Sequence, residues 1–304
     1  MTCIYRILAM PESSPTHLSK AAIASEAKRL GAALVGFAPV SRWAEHGDLS
    51  WEFDPQRLWP KAKTVVAMAV PSLLPVTETD SSHVYRSQYN NTNQLLDKIA
   101  YRLTAFLNRH GHAAINICRD GYGEGVMKIR PIAVFSHVWA GHYAGLGEVG
   151  WNHCLVTREF GPRHRLVSVI TALDVEGDPM LEEGSLCNKC LLCQKACLTQ
   201  AFSGNRKKDR RSNMNKFACF DRRAKFKSAQ HCGFCLKVCP VGLDRELYGT
   251  TKVSQYFAER KAIFAENGVP LDPVHPLGSE TSEPQSTEAR KLSCHPSASA
   301  SPTS

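Results

Sequence analysis

The stretch CNKCLLCQKAC (Cys187–Cys197) places four cysteines at successive spacings of three, three and four residues. Four more cysteines follow it at Cys219, Cys232, Cys235 and Cys239, and Pro240 comes directly after the last of them. Where cysteines occur in this order, the fourth cysteine of the first run binds the other of two iron–sulfur cubes. The eight cysteines therefore predict two [4Fe–4S] clusters and a protein that transfers electrons.

Zinc and disulfide bonds are the alternative interpretations of these cysteines. Structural zinc usually takes two pairs of ligands separated by a spacer, and four cysteines this close in sequence would crowd one tetrahedral ion. Disulfides need an oxidising compartment, and the N-terminus shows no secretory signal. Leu198 stands where a proline normally follows such a run, whereas Pro240 keeps that proline. We expect this departure to affect the order of the loop and not its ligands.

The composition is that of a globular protein that stays in a reducing compartment. The chain has 304 residues, 43% of them hydrophobic, which is enough for one large domain and a smaller one. Its longest nearly apolar stretch, residues 64–76, is too short to span a bilayer. The first six residues contain one arginine and no twin-arginine signal. We expect a cytoplasmic protein without a signal peptide or a transmembrane helix; peripheral association with a membrane stays open.

A basic stretch accounts for much of the formal net charge of +9. Residues 206–227 contain ten Lys or Arg against two Asp. This stretch is either a solvated loop between cluster ligands or a docking face for an acidic electron donor or a nucleic acid. The sequence shows no DNA-binding motif, so DNA is not expected as a partner.

Helical and strand patterns alternate ahead of the cysteines. Apolar spacing predicts helices over 19–31 and 93–109 and strands over 32–40, 64–70, 113–118 and 165–173, a pattern typical of an α/β sandwich. We predict a core over 1–183, a two-cluster domain over 184–245, a C-terminal helix over 246–267 and a disordered tail over 268–304. Cys118 and Cys154 lie in apolar segments and are expected to be buried packing residues.

A glycine-rich element precedes the cysteines and carries a family resemblance. It reads AGLGEVG over residues 144–150, and Gly161-Pro162-Arg163 follows it. Together with the eight cysteines, these motifs resemble the cobamide-dependent iron–sulfur reductases, the superfamily of reductive dehalogenases and epoxyqueuosine reductases. The resemblance covers roughly residues 95–245. It implies an α+β fold, in which a nitroreductase-like α/β sandwich holds a corrinoid and a ferredoxin-type insert carries two [4Fe–4S] clusters.

The resemblance also implies the ligands of each cofactor. One cluster would be held by Cys187, Cys190, Cys193 and Cys239, and the other by Cys197, Cys219, Cys232 and Cys235. The corrinoid, a cobalamin-type cofactor without a histidine ligand from the protein, would lie against Gly145, Leu146, Gly147 and Gly150. Glycine allows backbone amides to approach a bulky macrocycle. A plain tight turn is the alternative interpretation of these glycines.

Two features favour a reductive dehalogenase within the superfamily. Glu148 stands where epoxyqueuosine reductases typically have Trp, and residues 130–134 lack the aspartate that those enzymes show upstream. The chain is most similar to a small leaderless reductive dehalogenase of the chlorophenol type. It would remove halogen from an aryl halide by two-electron reduction, with electrons from a ferredoxin or flavodoxin-like donor. The alternatives are an epoxyqueuosine reductase acting on tRNA and a non-catalytic electron-transfer protein.

The reaction also needs an acid that protonates the product carbon. Tyr122, Tyr143 and His137 are the candidates, and Lys128 or Arg130 could lower the pKa of such an acid. For each of these residues a structural role is the alternative interpretation, and taken singly it is the favoured one.

Overall fold

A four-stranded antiparallel sheet organises the part of the chain that the computed structural model describes, residues 18–46, 53–79, 82–119, 133–203, 213–226 and 232–270. The strands are β1 Leu34–Pro39, β2 Thr64–Pro71, β3 Ala114–Asn116, β4 Glu148–Val149, β5 Leu155–Val156, β6 His164–Thr171, β7 Phe202–Ser203 and β8 Asn213–Met214. The order in the main sheet is β1-β2-β6-β3, while β4-β5 and β7-β8 form two separate hairpin-like pairs.

Short and long helices alternate with these strands. They are α1 Lys20–Arg29, α2 Ser41–His46, α3 Pro55–Leu58, α4 Leu74–Thr77, α5 Ser82–Arg109, α6 His137–Tyr143, α7 Leu192–Ala196, α8 Lys216–Lys225, α9 Phe234–Lys237, α10 Leu243–Leu247 and α11 Gln255–Glu266. Within the described ranges, no helix is both long and apolar enough to cross a membrane.

The central strand β2 is buried on both faces. Seven of its eight residues are buried, and it pairs antiparallel with β1 on one side and β6 on the other. Because successive side chains of a strand point to opposite faces, an unbroken apolar run such as this one needs a cover on each face. The sheet therefore requires helices on both sides.

Two sets of helices supply that cover. On one face, α1 and α5 pack against alternate strand residues, with Ile23 and Leu103 among the buried contacts to Val66 and Met68. On the other face, α2 and α6 bring Trp43 and Trp139 against the remaining strand residues. The fold is thus a mixed helix-and-sheet sandwich, and α6 leads directly into the glycine-rich element.

The cysteine-rich region repeats one local design. Both α7 and α9 begin after a residue in the left-handed conformation that itself follows a cysteine, Leu191 with φ +65° and Gly233 with φ +75°. The two helices contact each other, and α11 packs against α7. The predicted tail lies outside the described residues from 271 onward.

Candidate iron–sulfur site

Four of the eight cysteines line one pocket beside the sheet sandwich. They are Cys187, Cys190, Cys193 and Cys239, and the rest of the lining is Trp151, Asn152, Val156, Leu186, Asn188, Leu191, Leu192, Pro240 and Val241. The first three cysteines come from the loop and first turn of α7, and the fourth follows α9. Residues some fifty positions apart in sequence thus meet as the set that the family resemblance assigned to one cluster.

The electrostatics of these thiols suit a metal cluster. Burial raises the pKa of the Cys193 thiol, and the charge of nearby Cys235 raises it further. Burial also raises the pKa of Cys239 to about 11, partly opposed by a hydrogen bond from the Val241 main chain and by Arg163. Buried thiols become thiolates only where positive charge offsets the loss of water. The iron of a cluster would supply that charge, so the donor set fits the group.

Cys154 and Cys197 lie close to Cys235, outside this pocket. A hydrogen bond with Cys154 raises the pKa of Cys235, followed by burial and by the charges of Cys154 and Cys197. The pKa of Tyr85, on α5, is raised by burial and by the charges of Cys235 and Cys232. Cys197, Cys219 and Cys232 are half-buried. Of the two cysteines predicted to be buried packing residues, Cys154 is half-buried and lies against Cys235. The prediction was wrong for Cys118, which is exposed at the end of the segment after β3.

Glu148 fixes the loop that leads into the first cysteine. Its side chain is buried, at 5% exposed. The carboxylate accepts hydrogen bonds from the main-chain N–H groups of Gly184 at 2.8 Å, Leu186 at 3.0 Å and Cys187 at 3.0 Å. A carboxylate is the strongest acceptor for main-chain N–H groups that lie away from water. Glu148 therefore holds Cys187 in place. This structural role was not predicted from the sequence, in which Glu148 served only to distinguish dehalogenases from epoxyqueuosine reductases.

Trp151 joins the glycine-rich element to the same pocket. Its main-chain N–H donates to the Cys187 Sγ at 3.3 Å, and its indole Nε1 donates to Gln194 Oε1 at 2.9 Å. The ring is buried and packs with Cys193, Ala196 and Val238. A hydrogen bond to a ligand sulfur and an apolar wall are two of the features by which a protein tunes such a cluster.

Arg163 connects the sheet to the cysteine-rich region. It is fully buried, and its guanidinium makes two hydrogen bonds to the Asp244 carboxylate, 2.7 Å from Nε and 2.6 Å from Nη2. The remaining donors reach the carbonyls of Leu236 at 3.2 Å, Cys239 at 3.1 Å and Val241 at 2.6 Å. This two-pronged pairing is the strongest geometry available to a buried Arg–carboxylate pair.

At the glycines of the AGLGEVG element, other parts of the protein approach too closely to leave room for a Cβ atom. A Cβ at Gly145, whose φ is +72°, would lie 2.3 Å from the Pro179 carbonyl oxygen, and a Cβ at Gly147 would lie 2.3 Å from that of Val156. At Gly150 it would meet Val156 Cγ2 at 2.6 Å. These contacts explain the glycines as a tight turn against β5 and the segment after β6. Leu146 packs with the aromatic side chains of α2 and α6. Corrinoid binding by these four residues stays a prediction.

The described candidates for the proton donor lie in the core. Tyr143 is fully buried, 4.8 Å from the Trp43 ring in an edge contact. His137 Nδ1 hydrogen-bonds with Ser168 Oγ at 2.9 Å, and its Nε2 with the Cys118 carbonyl at 3.1 Å. Because a carbonyl only accepts, Nε2 donates to it, and in the neutral ring Nδ1 then accepts from the serine. This geometry favours structural roles for both residues, and their catalytic roles stay predictions.

Three further residues of the proton-donor hypothesis are Tyr122, Lys128 and Arg130. All three lie outside the described residues.

Comparison with known proteins gives two groups of relatives. The chain matches no family model. A tetrachloroethene reductive dehalogenase of Desulfitobacterium hafniense is 31% identical over 145 residues, 47% of this chain and 24% of that protein. An epoxyqueuosine reductase of Gloeobacter violaceus is 27% identical over 232 residues, 70% of this chain and 69% of that protein. The chain is similar in sequence to both reductive dehalogenases and epoxyqueuosine reductases.

The structure shares its fold with a solved reductive dehalogenase. The catabolic reductive dehalogenase NpRdhA, solved in complex with 3-bromo-4-hydroxybenzoic acid, superimposes with a TM-score of 0.57 at 21% sequence identity. The match covers 84% of this chain and 37% of that one. The chain thus spans about a quarter of the length of the first dehalogenase relatives and just over a third of the solved one.

Sequence patterns missed several residues that position the cysteine loops. Glu148 and Trp151 bond to residues 38 and 36 positions further along the chain, and Asp244 bonds to Arg163, 81 positions before it. Arg245 bonds to Cys239, six positions before it. The one available signal was a charged residue among uncharged neighbours, and it was present for Glu148.

Proposed function

We propose that the chain is a corrinoid- and iron–sulfur-dependent reductase that removes halogen from an aryl halide such as a chlorophenol. The observation that carries this proposal is the pocket lined by Cys187, Cys190, Cys193 and Cys239, beside a sheet sandwich of the dehalogenase fold. The reaction takes up two electrons and one proton, breaks the carbon–halogen bond, forms a carbon–hydrogen bond and releases halide. Both superfamily branches consist of oxidoreductases, which supports a reduction.

The chain's own residues would hold the cofactors and the order of the site. Two groups of four cysteines would bind two [4Fe–4S] clusters, which pass on one electron at a time. A corrinoid, when bound against Gly145, Leu146, Gly147 and Gly150, supplies the cobalt chemistry that such reductions need. Glu148 and Trp151 fix the loop and wall of the first cluster pocket. Arg163 joins that pocket to the sheet.

A ferredoxin or flavodoxin-like protein is the proposed electron donor, because the clusters need one-electron reduction at low potential. The product carbon takes its proton from an acid of the protein. Tyr122 is the first candidate to test, since Tyr143 and His137 are held in the core by the contacts described above. A phenol transfers its proton more easily where a neighbouring cation lowers its pKa.

Reduction of epoxyqueuosine in tRNA is the second candidate function. The Gloeobacter violaceus relative favours it, because the match covers 69% of that protein's length. The match to the Desulfitobacterium hafniense dehalogenase covers only 24% of that protein's length. That reaction takes up two electrons and two protons, converts the epoxide to an alkene and releases water. The basic stretch 206–227 would serve as the tRNA-binding face.

A competition between substrates tests the proposal. The protein is purified without oxygen, reconstituted with iron, sulfide and cobalamin, and assayed for bound cobalt and iron. With a reduced viologen as donor, we expect it to release halide from a chlorophenol or from 3-bromo-4-hydroxybenzoic acid, and to leave an epoxyqueuosine-bearing tRNA stem-loop unchanged. Cys193→Ser is the inactive control.

Two outcomes would contradict the proposal. Turnover of the stem-loop without any halide release would establish the second candidate instead. Protein that carries iron but binds no cobalamin would be an electron-transfer protein and not a reductase.

A further inference from the structure

Arg245, at the middle of α10, is buried beside the fourth cysteine of the pocket. Its side chain is 1% exposed. The Nε group donates to the Cys239 carbonyl at 2.7 Å, Nη1 donates to the Thr250 carbonyl at 2.8 Å and to the Tyr256 hydroxyl at 3.4 Å, and Nη2 donates to the Lys237 carbonyl. The guanidinium thus bonds to both ends of the segment 237–239 that delivers Cys239.

The acceptors of Arg245 are all uncharged, which sets it apart from two buried cations nearby. Arg163 pairs with Asp244, and Lys237 pairs with Glu259 at 2.6 and 2.8 Å. The Tyr256 side chain lies between Arg245 and the carboxylate of Glu78, because its hydroxyl accepts from Arg245 and donates to Glu78. Among the described residues, Arg245 makes no direct contact with a carboxylate.

A buried charge without an opposite charge is strongly unfavourable. Carbonyl dipoles offset part of this cost, and a nearby anion offsets more. Four thiolates around a [4Fe–4S] core carry a net negative charge, and reduction adds one more electron to it. A fixed positive charge beside a ligand of that cluster therefore stabilises the reduced form more than the oxidised form. Charge and hydrogen bonds near a cluster are the means by which a protein sets its potential.

We propose that Arg245 sets the reduction potential of the cluster held by Cys187, Cys190, Cys193 and Cys239, and that this cluster balances its buried charge. The inference rests on the proposed function, because it requires the cluster to be present. Arg245 is a positioning residue that acts through charge and through the Cys239 main chain. Without its charge, the cluster becomes harder to reduce.

The test compares Arg245→Gln with Arg245→Lys. Gln keeps hydrogen-bond donors and removes the charge, whereas Lys keeps the charge. The full chain is reconstituted with iron and sulfide without oxygen, its iron is counted, and the potentials of both clusters are measured by redox titration followed by electron paramagnetic resonance. Cys219→Ser, which removes a ligand assigned to the other cluster, identifies the signal of the first.

We expect Arg245→Gln to lower the potential of the first cluster so that its one-electron reduction is at least tenfold less favourable, a shift of about 59 mV. The potential of the other cluster should stay within the error of the titration, and Arg245→Lys should keep most of the wild-type value. A full iron count with an unchanged potential in Arg245→Gln would overturn the inference and leave the proposed function intact.

If Arg245→Gln does not fold or does not bind iron, the cluster potential of Arg245→Lys tests the inference instead. A potential close to that of the wild type supports the inference, and a tenfold loss of reducibility despite the retained charge overturns it. A wild-type protein that holds no iron would instead refute the proposed function.

Discussion

Glu148 shows how one buried side chain can fix a loop that carries a predicted cluster ligand. Its three main-chain donors belong to the segment 184–187, which has no regular secondary structure of its own. A loop of this kind depends on side chains for the hydrogen bonds that helices and strands provide internally. The position of Cys187 therefore depends on a residue 39 positions earlier in the chain.

Replacing Glu148 with Gln should loosen this loop. One carboxylate oxygen becomes an NH₂ group that faces a main-chain donor, so at least one hydrogen bond to a charged acceptor is lost, at a cost of about 2 kcal/mol. We expect lower stability in denaturant titrations of the iron-loaded protein and faster loss of iron to a chelator. The matched control is Glu183→Gln, whose exposed carboxylate makes a surface ion pair 3.3 Å from Lys189 and should contribute little. Equal iron loss in the two variants would contradict this role.

The turns before α7 and α9 each contain a residue with a left-handed φ. At Gly233, the left-handed φ coincides with close packing, because an added Cβ would lie 3.2 Å from Tyr85 Cζ. Gly249 has a similar φ of +66° and nothing within 4 Å of such a Cβ. Comparing substitutions at Gly233 and Gly249 therefore separates the energetic cost of a left-handed backbone from that of steric crowding.

Gly233→Ala should destabilise the protein more than Gly249→Ala. Left-handed backbone alone costs a non-glycine residue roughly 1 kcal/mol, and the crowding against Tyr85 adds to that at Gly233 only. The measurement is the denaturant midpoint of both variants, each with and without Tyr85→Leu. Tyr85→Leu should recover part of the loss in Gly233→Ala and none in Gly249→Ala; identical losses would show that Tyr85 does not contact this turn.

Element boundaries show what the sequence could and could not provide. The strands expected over 32–40, 64–70, 113–118 and 165–173 are confirmed as Leu34–Pro39, Thr64–Pro71, Ala114–Asn116 and His164–Thr171. The helix expected over 93–109 begins eleven residues earlier, at Ser82. The first turns of this helix show no apolar period. Their tyrosines contact other parts of the chain: Tyr85 lies against Gly233, and Tyr89 lies under the Arg165 guanidinium. Such distant partners are invisible to a periodicity argument.

The site was predictable to a similar extent. Spacing predicts the eight cysteines as cluster ligands, because such ligands repeat at short intervals, and the structure brings four of them together at one pocket. The bond from Arg163 to Asp244 joins residues 81 positions apart, and no local pattern marks it. Arg245 and Cys239 are only six positions apart, but their spacing does not show that the arginine turns back to the cysteine carbonyl. Cys154 looked like a packing residue because nothing in its own segment shows that Cys235 lies beside it.

At the scale of the whole molecule, the clusters should stabilise the region they organise. Metal–ligand bonds that form only in the folded state contribute directly to folding free energy. Anaerobically prepared protein should contain about eight irons per chain, and Cys193→Ser or Cys235→Ser should each lose about half of them. Both variants should also be cleaved faster by protease between residues 184 and 245. Iron is measured colorimetrically and cleavage sites by mass spectrometry.

Cys118→Ser is the control for this experiment, because Cys118 is exposed, lies two residues after β3 and is not assigned to either cluster. Its iron content should equal that of the wild type. Tightly bound zinc with no iron in the wild-type protein would refute the two-cluster assignment.

The partners of the Arg163 side chain have a consequence for the order in which the protein can be completed. They lie 73 to 81 residues further along the chain, between Leu236 and Asp244. During synthesis on the ribosome, β6 therefore emerges with a guanidinium whose eventual acceptors have not yet been translated. Its full set of hydrogen bonds can form only after Asp244 has left the exit tunnel. The start of β6 and the segment that carries Cys235 and Cys239 therefore reach their final packing together.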